Sequence, residues 1–191
     1  MIAAVRIQGA FWPPFFGEPM DKGDTAATRI LRAAHFAARV HATHKRKGAQ
    51  AEPYVNHVLE VAQILAENGA PEEAILAGLL HDTVEDSDQD PDPITHDQLV
   101  AEFGETAARI VAEATDDKSL PKETRKALQV KHATRTSGAA KMLKLADKIS
   151  NLRAITASPP ANWDHARRVE YVGWAGRVAA GLKGVNPALD A

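Results

Sequence analysis

At 191 residues and 20.5 kDa the chain has the length of one ordinary domain, enough to bury a sizeable core without covalent staples. It is 45% hydrophobic, 25% charged and 5% aromatic with a net charge of −2, which excludes intrinsic disorder and fibrous repeats and predicts a core of Ala, Val, Leu and Ile. The absence of cysteine excludes disulfides, thiol nucleophiles, thiolate zinc sites and iron–sulfur clusters, so any metal must be held by His, Asp, Glu or carbonyl oxygen.

The pattern read along the chain is helical. Residues 1–23 form an arm in which Phe11-Trp12-Pro13-Pro14-Phe15-Phe16 is flanked by glycines; prolines and glycines break helix, so its aromatics are expected to pack on the body or on a partner subunit, giving a route to a homo-oligomer. Residues 24–191 are expected to form the functional domain. Ala27, Ile30, Leu31, Ala34, Ala37, Ala38 and His41 follow helical spacing behind a cap at Asp24 or Thr25. Lys45-Arg46-Lys47-Gly48 is expected to end that helix, its cations suiting the C-terminal dipole. Pro53-Tyr54 begins a second helix that Asn68-Gly69 stops, and Pro71 opens a third with Ile75, Leu76, Leu79 and Leu80. Ser87 to Pro93 is a loop. Further helices are expected at Thr95–Phe103, Glu105–Ala114, Pro121–Arg135, Gly138–Thr156 and Asn162–Leu182, with Gly104 and Gly138 as boundaries and Trp163 and Trp174 as packing anchors. No alternating strand pattern and no internal repeat occur, so the expected architecture is a compact all-helical domain.

No apolar run approaches the roughly 20 residues of a membrane-spanning helix, and no basic flank precedes a long apolar core at the N-terminus; a cytoplasmic protein without membrane contact is expected. The small net charge conceals an asymmetry. From Glu72 to Asp117 there are 14 acids against one base, Arg109, a local −13, and from Lys118 to Arg153 there are 10 bases against two acids, Glu123 and Asp147, a local +8. Two solvated faces of opposite sign would account for this, as would a site holding a cation with one segment and phosphates with the other. The basic segment lacks interleaved aromatics and faces an acidic one, so nucleic acid is not an expected partner.

The segment Leu79-Leu80-His81-Asp82-Thr83-Val84-Glu85-Asp86 carries the most chemistry. On a continuing helix Glu85 lies four residues after His81 and three after Asp82, so these side chains share a face. Neighbouring carboxylates repel, and a divalent cation is the simplest compensation. His57, at the start of the second helix, and Asp147, among Leu143, Leu145, Ile149 and Leu152, are two further candidates. Taken singly, His57 also fits a hydrogen-bonded core histidine and Asp147 an aspartate paired with a lysine.

The ordered set His57, His81-Asp82, Asp147 resembles HD-domain metal-dependent phosphohydrolases. Tyr54-Val55-Asn56-His57, the segment Leu79 to Asp86, Phe103-Gly104, Thr115-Asp116-Asp117-Lys118, Lys144 to Arg153 and Glu170-Tyr171-Val172-Gly173-Trp174-Ala175 resemble, more narrowly, the Rel/Spo-type guanosine tetraphosphate hydrolases in their single-domain form, the small alarmone hydrolases of the metazoan SpoT-homologue type. The likeness runs from about Ala27 to about Pro187; it departs where Val58 follows His57 in place of the family's usual proline, and in a slightly long loop after Asp86.

That resemblance implies His57, His81, Asp82 and Asp147 as ligands of one divalent ion, usually manganese. Two nitrogen and two oxygen donors leave two positions open on an octahedral ion. It also implies removal of pyrophosphate from the 3′ position of guanosine tetra- or pentaphosphate, with Glu85 and Asp86 as acid/base candidates whose roles are not distinguished. Arg46 and Lys47 match a family pair beside the nucleotide, where a guanidinium can stack on a base and an ammonium can meet phosphate. Asn151 matches a site position, although a capping role is an equal reading, and Lys122, Lys144, Arg167 and Tyr171 are weaker candidates for phosphate or ribose contact. His35, His41, His44, His96, His132 and His165 have no motif support as ligands, and surface or packing roles fit them. Two other functions compete: an HD-domain phosphatase acting on another nucleotide such as NADPH, and a module that binds the nucleotide without cleaving it.

Overall fold

The computed structural model describes residues 5–7, 10–12, 23–88 and 90–191. A short antiparallel hairpin of β1 (Val5–Ile7) and β2 (Ala10–Trp12) pairs Val5 with Trp12 and Ile7 with Ala10. Strands of three residues are too short for alternation to be read in the sequence, which is why that reading missed them. The side chains of Phe11–Phe16, and the contact expected of them, lie outside the described residues.

The rest is helical: α1 (Ala26–Val40), α2 (Val55–Glu67), α3 (Glu72–Leu80), α4 (Thr83–Asp86), α5 (His96–Phe103), α6 (Glu105–Ala114), α7 (Lys122–His132) with a 3₁₀ turn at Ala133–Arg135, α8 (Gly138–Ala157) and α9 (His165–Leu182). Side-chain caps set several starts. Thr25 accepts from the Thr28 N–H, Thr95 and Gln98 form a reciprocal capping box, and Ser137 accepts from the Ala140 N–H. Asp164 accepts from the Arg167 N–H at 2.8 Å, so α9 begins at His165 rather than at Asn162.

Helix α3 packs against α1, α2, α6 and α8 and buries Leu76, Leu79 and Leu80 almost completely. Gly78 permits the close approach of α2, since a Cβ there would lie 2.7 Å from Leu65 Cδ1. Buried residues of α1, α2, α3, α5, α6, α8 and α9 join one apolar cluster that reaches Leu189. Among the described residues no helix is long and apolar enough to cross a membrane.

Two expectations are corrected. First, α3 does not continue through His81. The Thr83 hydroxyl donates to the Leu80 carbonyl at 2.7 Å and His81 Nδ1 meets the Gly78 carbonyl at 2.9 Å, so side chains take up acceptors of the last turn and the chain bends before α4. Second, Lys45-Arg46-Lys47-Gly48 does not cap α1, which stops at Val40. These residues lie in a loop closed on itself by the Lys45–Pro53 bridge and pinned to the end of α8 by the Gly48–Pro160 bridge. A Cβ on Gly48 would fall 2.4 Å from the Ser158 carbonyl oxygen, a contact only glycine allows.

Leu80 joins the apolar core to the turn that carries His81. Its replacement by Ala is expected to cost about 2–5 kcal/mol of stability, read by urea denaturation as a lower midpoint with an unchanged slope.

Candidate active site

Four side chains from three helix ends or faces meet at one point. His57 lies in the first turn of α2, His81 and Asp82 form the bend between α3 and α4, and Asp147 sits midway along α8. His57 Nε2 is 3.6 Å from Asp82 Oδ2 and 3.3 Å from Asp147 Oδ1; His81 Nε2 is 3.0 Å from Asp82 Oδ2 and 4.0 Å from Asp147 Oδ1. Both imidazoles are buried.

The surroundings aim these groups inward. His81 Nδ1 is engaged by the Gly78 carbonyl, and His57 Nδ1 by Ser150 Oγ at 2.9 Å, so each ring turns Nε2 toward the carboxylates. Tyr54 donates its hydroxyl to Asp82 Oδ2 at 2.7 Å. Asp147 uses both oxygens: Oδ2 pairs with Lys148 at 2.8 Å and Oδ1 accepts from the Asn151 amide at 2.6 Å while facing the histidines. The lysine-paired and site-facing readings of Asp147 therefore hold together.

The electrostatics follow from crowding. Burial pushes the His81 imidazole down, yet the adjacent Asp82 and Asp147 carboxylates lift it to about 9. Burial opposes ionisation of Asp82 as well, but His81 and His57 hold it below the usual carboxylate range. Asp147 is likewise held well below that range, its burial overcome by Lys148 and His57.

A divalent cation fits this set. His81 Nε2 is buried with no hydrogen-bond partner, and two nitrogens and two carboxylates of opposite helices face one volume. His57, His81 and Asp147 offer ligand atoms all within 4.8 Å of one another. Nitrogen and oxygen donors without sulfur are those of a hydrolytic rather than a thiolate centre.

One side opens on a cavity of about 680 Å³ walled by the 44–54 loop, the first half of α2, the end of α8 and Trp163. His57, Asp86, Asn151, Arg46, Lys47 and Tyr171 line it. Arg46 donates to Asn151 Oδ1 at 3.1 Å and stands 5.7 Å from the Tyr54 ring centroid. Asn151 lies inside α8, so it bridges Arg46 and Asp147 and caps nothing. Arg167 reaches the cavity indirectly, stacked 4.6 Å from the Trp163 ring. Lys144 is elsewhere: it donates to the Ala114 carbonyl and lines a separate cavity of about 240 Å³. Lys122, in the first turn of α7, lines neither.

Glu85 and Asp86 follow the metal-ligand candidates on α4. Burial and the Asp82 charge lift both above the ordinary carboxylate range. Asp86 faces the cavity, with Lys118 at 3.8 Å; Glu85 instead faces Arg125 at 3.8 Å.

Sequence reasoning overlooked four residues here. His41 and His44 approach each other at 3.1 Å through Nδ1 and lie close to Asp86, and burial pushes His41 down to about 4. They are three residues apart at a helix end, a spacing that signals proximity only once the bend after Val40 is known. Ser150 and Glu60 form the hydrogen bonds behind His57, each three residues after a candidate ligand on its own helix. Trp163 is a cavity wall rather than a core anchor, whereas Trp174 is buried.

The HD-domain family model matches residues 33–175. The guanosine-3′,5′-bis(diphosphate) 3′-pyrophosphohydrolases MESH1 of Xenopus tropicalis and Homo sapiens are each 46% identical over 166 residues, covering 86% of this chain and 90% of theirs. The solved structure of a metazoan orthologue of SpoT, described as hydrolysing ppGpp and acting in starvation responses, matches with a TM-score of 0.79 at 39% identity over 85% of this chain and 89% of that one. The chain belongs to the HD-domain family, in the group that contains MESH1.

Proposed function

We propose that this chain is a manganese-dependent guanosine-3′,5′-bis(diphosphate) 3′-pyrophosphohydrolase that converts guanosine tetra- or pentaphosphate to GDP or GTP and pyrophosphate. One observation carries the reading: the buried His57, His81, Asp82 and Asp147 cluster meets, through His57, a cavity whose walls bear Lys45, Arg46 and Lys47. The named activity of relatives that align over most of the chain supports it.

His57, His81, Asp82 and Asp147 are the residues that would hold the ion. When bound, it supplies Lewis acidity toward a phosphate oxygen and lowers the pKa of nearby water. The mixed nitrogen and oxygen donors suit manganese. Arg46 is assigned to the guanosine, since its guanidinium is already oriented by Asn151 and can stack on a base. Lys47, with Lys45, gives the wall a positive field for the diphosphates. Tyr171 lines the same wall.

In the reaction the bond between phosphorus and the 3′ oxygen breaks as one forms from water oxygen to phosphorus. Asp86, on the cavity wall, accepts the proton that water loses. Glu85 faces Arg125 away from that wall, so Asp86, lifted by burial and the Asp82 charge, returns the proton to the departing 3′ oxygen. Carboxyls held above their ordinary range exchange protons near neutrality more readily than free ones.

Metal-replete protein is expected to release pyrophosphate from guanosine tetraphosphate, with loss of turnover on chelation and in Asp82→Ala. Correctly folded, metal-loaded protein that turns over NADPH in a nucleotide panel but not the tetraphosphate would sink the reading. Arg46→Ala is expected to raise KM about 10- to 100-fold with kcat little changed, measured by steady-state kinetics. Metal uptake should also depend on pH. His81 is raised to about 9, so below that pH a proton competes with the cation and above it none does. Affinity measured by chelator competition should therefore rise from pH 6 to about 9 and then level off.

A further inference from the structure

Behind His57 lies a chain of hydrogen bonds that the reaction itself does not use. His57 Nδ1 meets Ser150 Oγ at 2.9 Å, Ser150 donates to Glu60 Oε2 at 2.7 Å, and Arg153 donates to Glu60 Oε1 at 3.1 Å. Ser150 is fully buried.

The order of donors settles the state of the ring. A serine hydroxyl has one proton, and here it goes to Glu60. Ser150 Oγ can then only accept from His57, so Nδ1 carries a hydrogen. In the neutral ring that leaves the lone pair on Nε2, the nitrogen 3.3 Å from Asp147 Oδ1. His81 Nδ1 likewise carries a hydrogen, given to a backbone carbonyl.

The placement follows from helix geometry. Glu60 is three residues after His57 on α2, and Ser150 is three after Asp147 on α8, so each helix presents one candidate ligand and one supporting residue on the same face. Where α2 and α8 pack together, the supporting pair forms a second layer behind the ligand pair.

We propose that Ser150 and Glu60 are positioning residues that form a carboxylate–serine–histidine relay, fixing the tautomer and angle of His57 and raising its basicity toward a divalent cation. Residues that hold the second nitrogen of a ligating histidine govern metal affinity in this way. The charge of Glu60 acts through the shared hydroxyl, and Arg153 holds that carboxylate in place. The proposal rests on the metal-centre reading above, but not on the identity of the substrate.

The test is manganese affinity by chelator competition on the full chain, with the ring tautomer of His57 read from long-range proton–nitrogen correlation spectra of the metal-free protein. Ser150→Ala should weaken manganese binding about 10- to 100-fold and shift His57 toward the Nε2–H form. Glu60→Gln, at a partly exposed position that does not threaten folding, should weaken binding toward the lower end of that range. It carries the test if Ser150→Ala does not fold. Wild-type protein that binds manganese while both variants match it in affinity and tautomer would overturn the relay alone. Wild-type protein that binds no manganese would overturn the metal-centre reading beneath it.

Discussion

Two carboxylates and two imidazoles share one small, mostly buried volume, and the rest of the structure is arranged around keeping them there. Asp82 and Asp147 repel each other, and burial penalises both, so each needs a partner that no solvent supplies. Tyr54, Lys148 and Asn151 provide those partners by hydrogen bonds of 2.6 to 2.8 Å. Lys148 is itself buried beneath the Trp174 ring, 4.9 Å away, so α9 contributes to the centre although no candidate ligand lies on it. The proposed divalent cation would complete this balance by taking the place of the proton that His81 otherwise holds.

The same crowding explains the division of charge in the chain. Part of the basic segment is spent against the acidic one, Lys118 facing Asp86 and Asp88 and Arg125 facing Glu85, while Lys148 faces Asp147 within its own segment. The cavity cations come instead from the loop after α1, at Lys45, Arg46 and Lys47. The enzyme separates two electrostatic tasks that the sequence total of −2 merges. One set of cations neutralises the acids around the centre, and another lines the cavity beside it.

Most helices were legible because their apolar spacing and caps agree, as at Thr95 with Gln98 or Ser137 before α8. The candidate ligands were legible for a different reason. His81-Asp82 with Glu85 and Asp86 is an arrangement of like charges that makes little sense without a cation, and the motif segments resemble one family in consistent order. The bend after Leu80 and the early end of α1 were not legible, since both depend on hydrogen bonds and bridges to particular carbonyls and to α8. Lys144 and Arg46 show the difference at single residues. Both are basic and lie near a motif, yet one turns to the Ala114 carbonyl and the other lines the cavity beside His57.

By itself the sequence determined the helical class and the absence of sulfur ligands, which follow from periodicity and composition, while the four candidate ligands were implied by the resemblance of its motifs to one family. Tertiary structure decided which nitrogen of each histidine faces the centre, which cations reach the cavity and which of Glu85 and Asp86 stands on its wall. Those outcomes depend on side chains up to about a hundred positions apart in the chain, such as Arg46 with Asn151 and Glu60 with Ser150. Helical spacing relates a residue only to neighbours three or four positions away, so contacts of that range exist only once α2, α3 and α8 have packed.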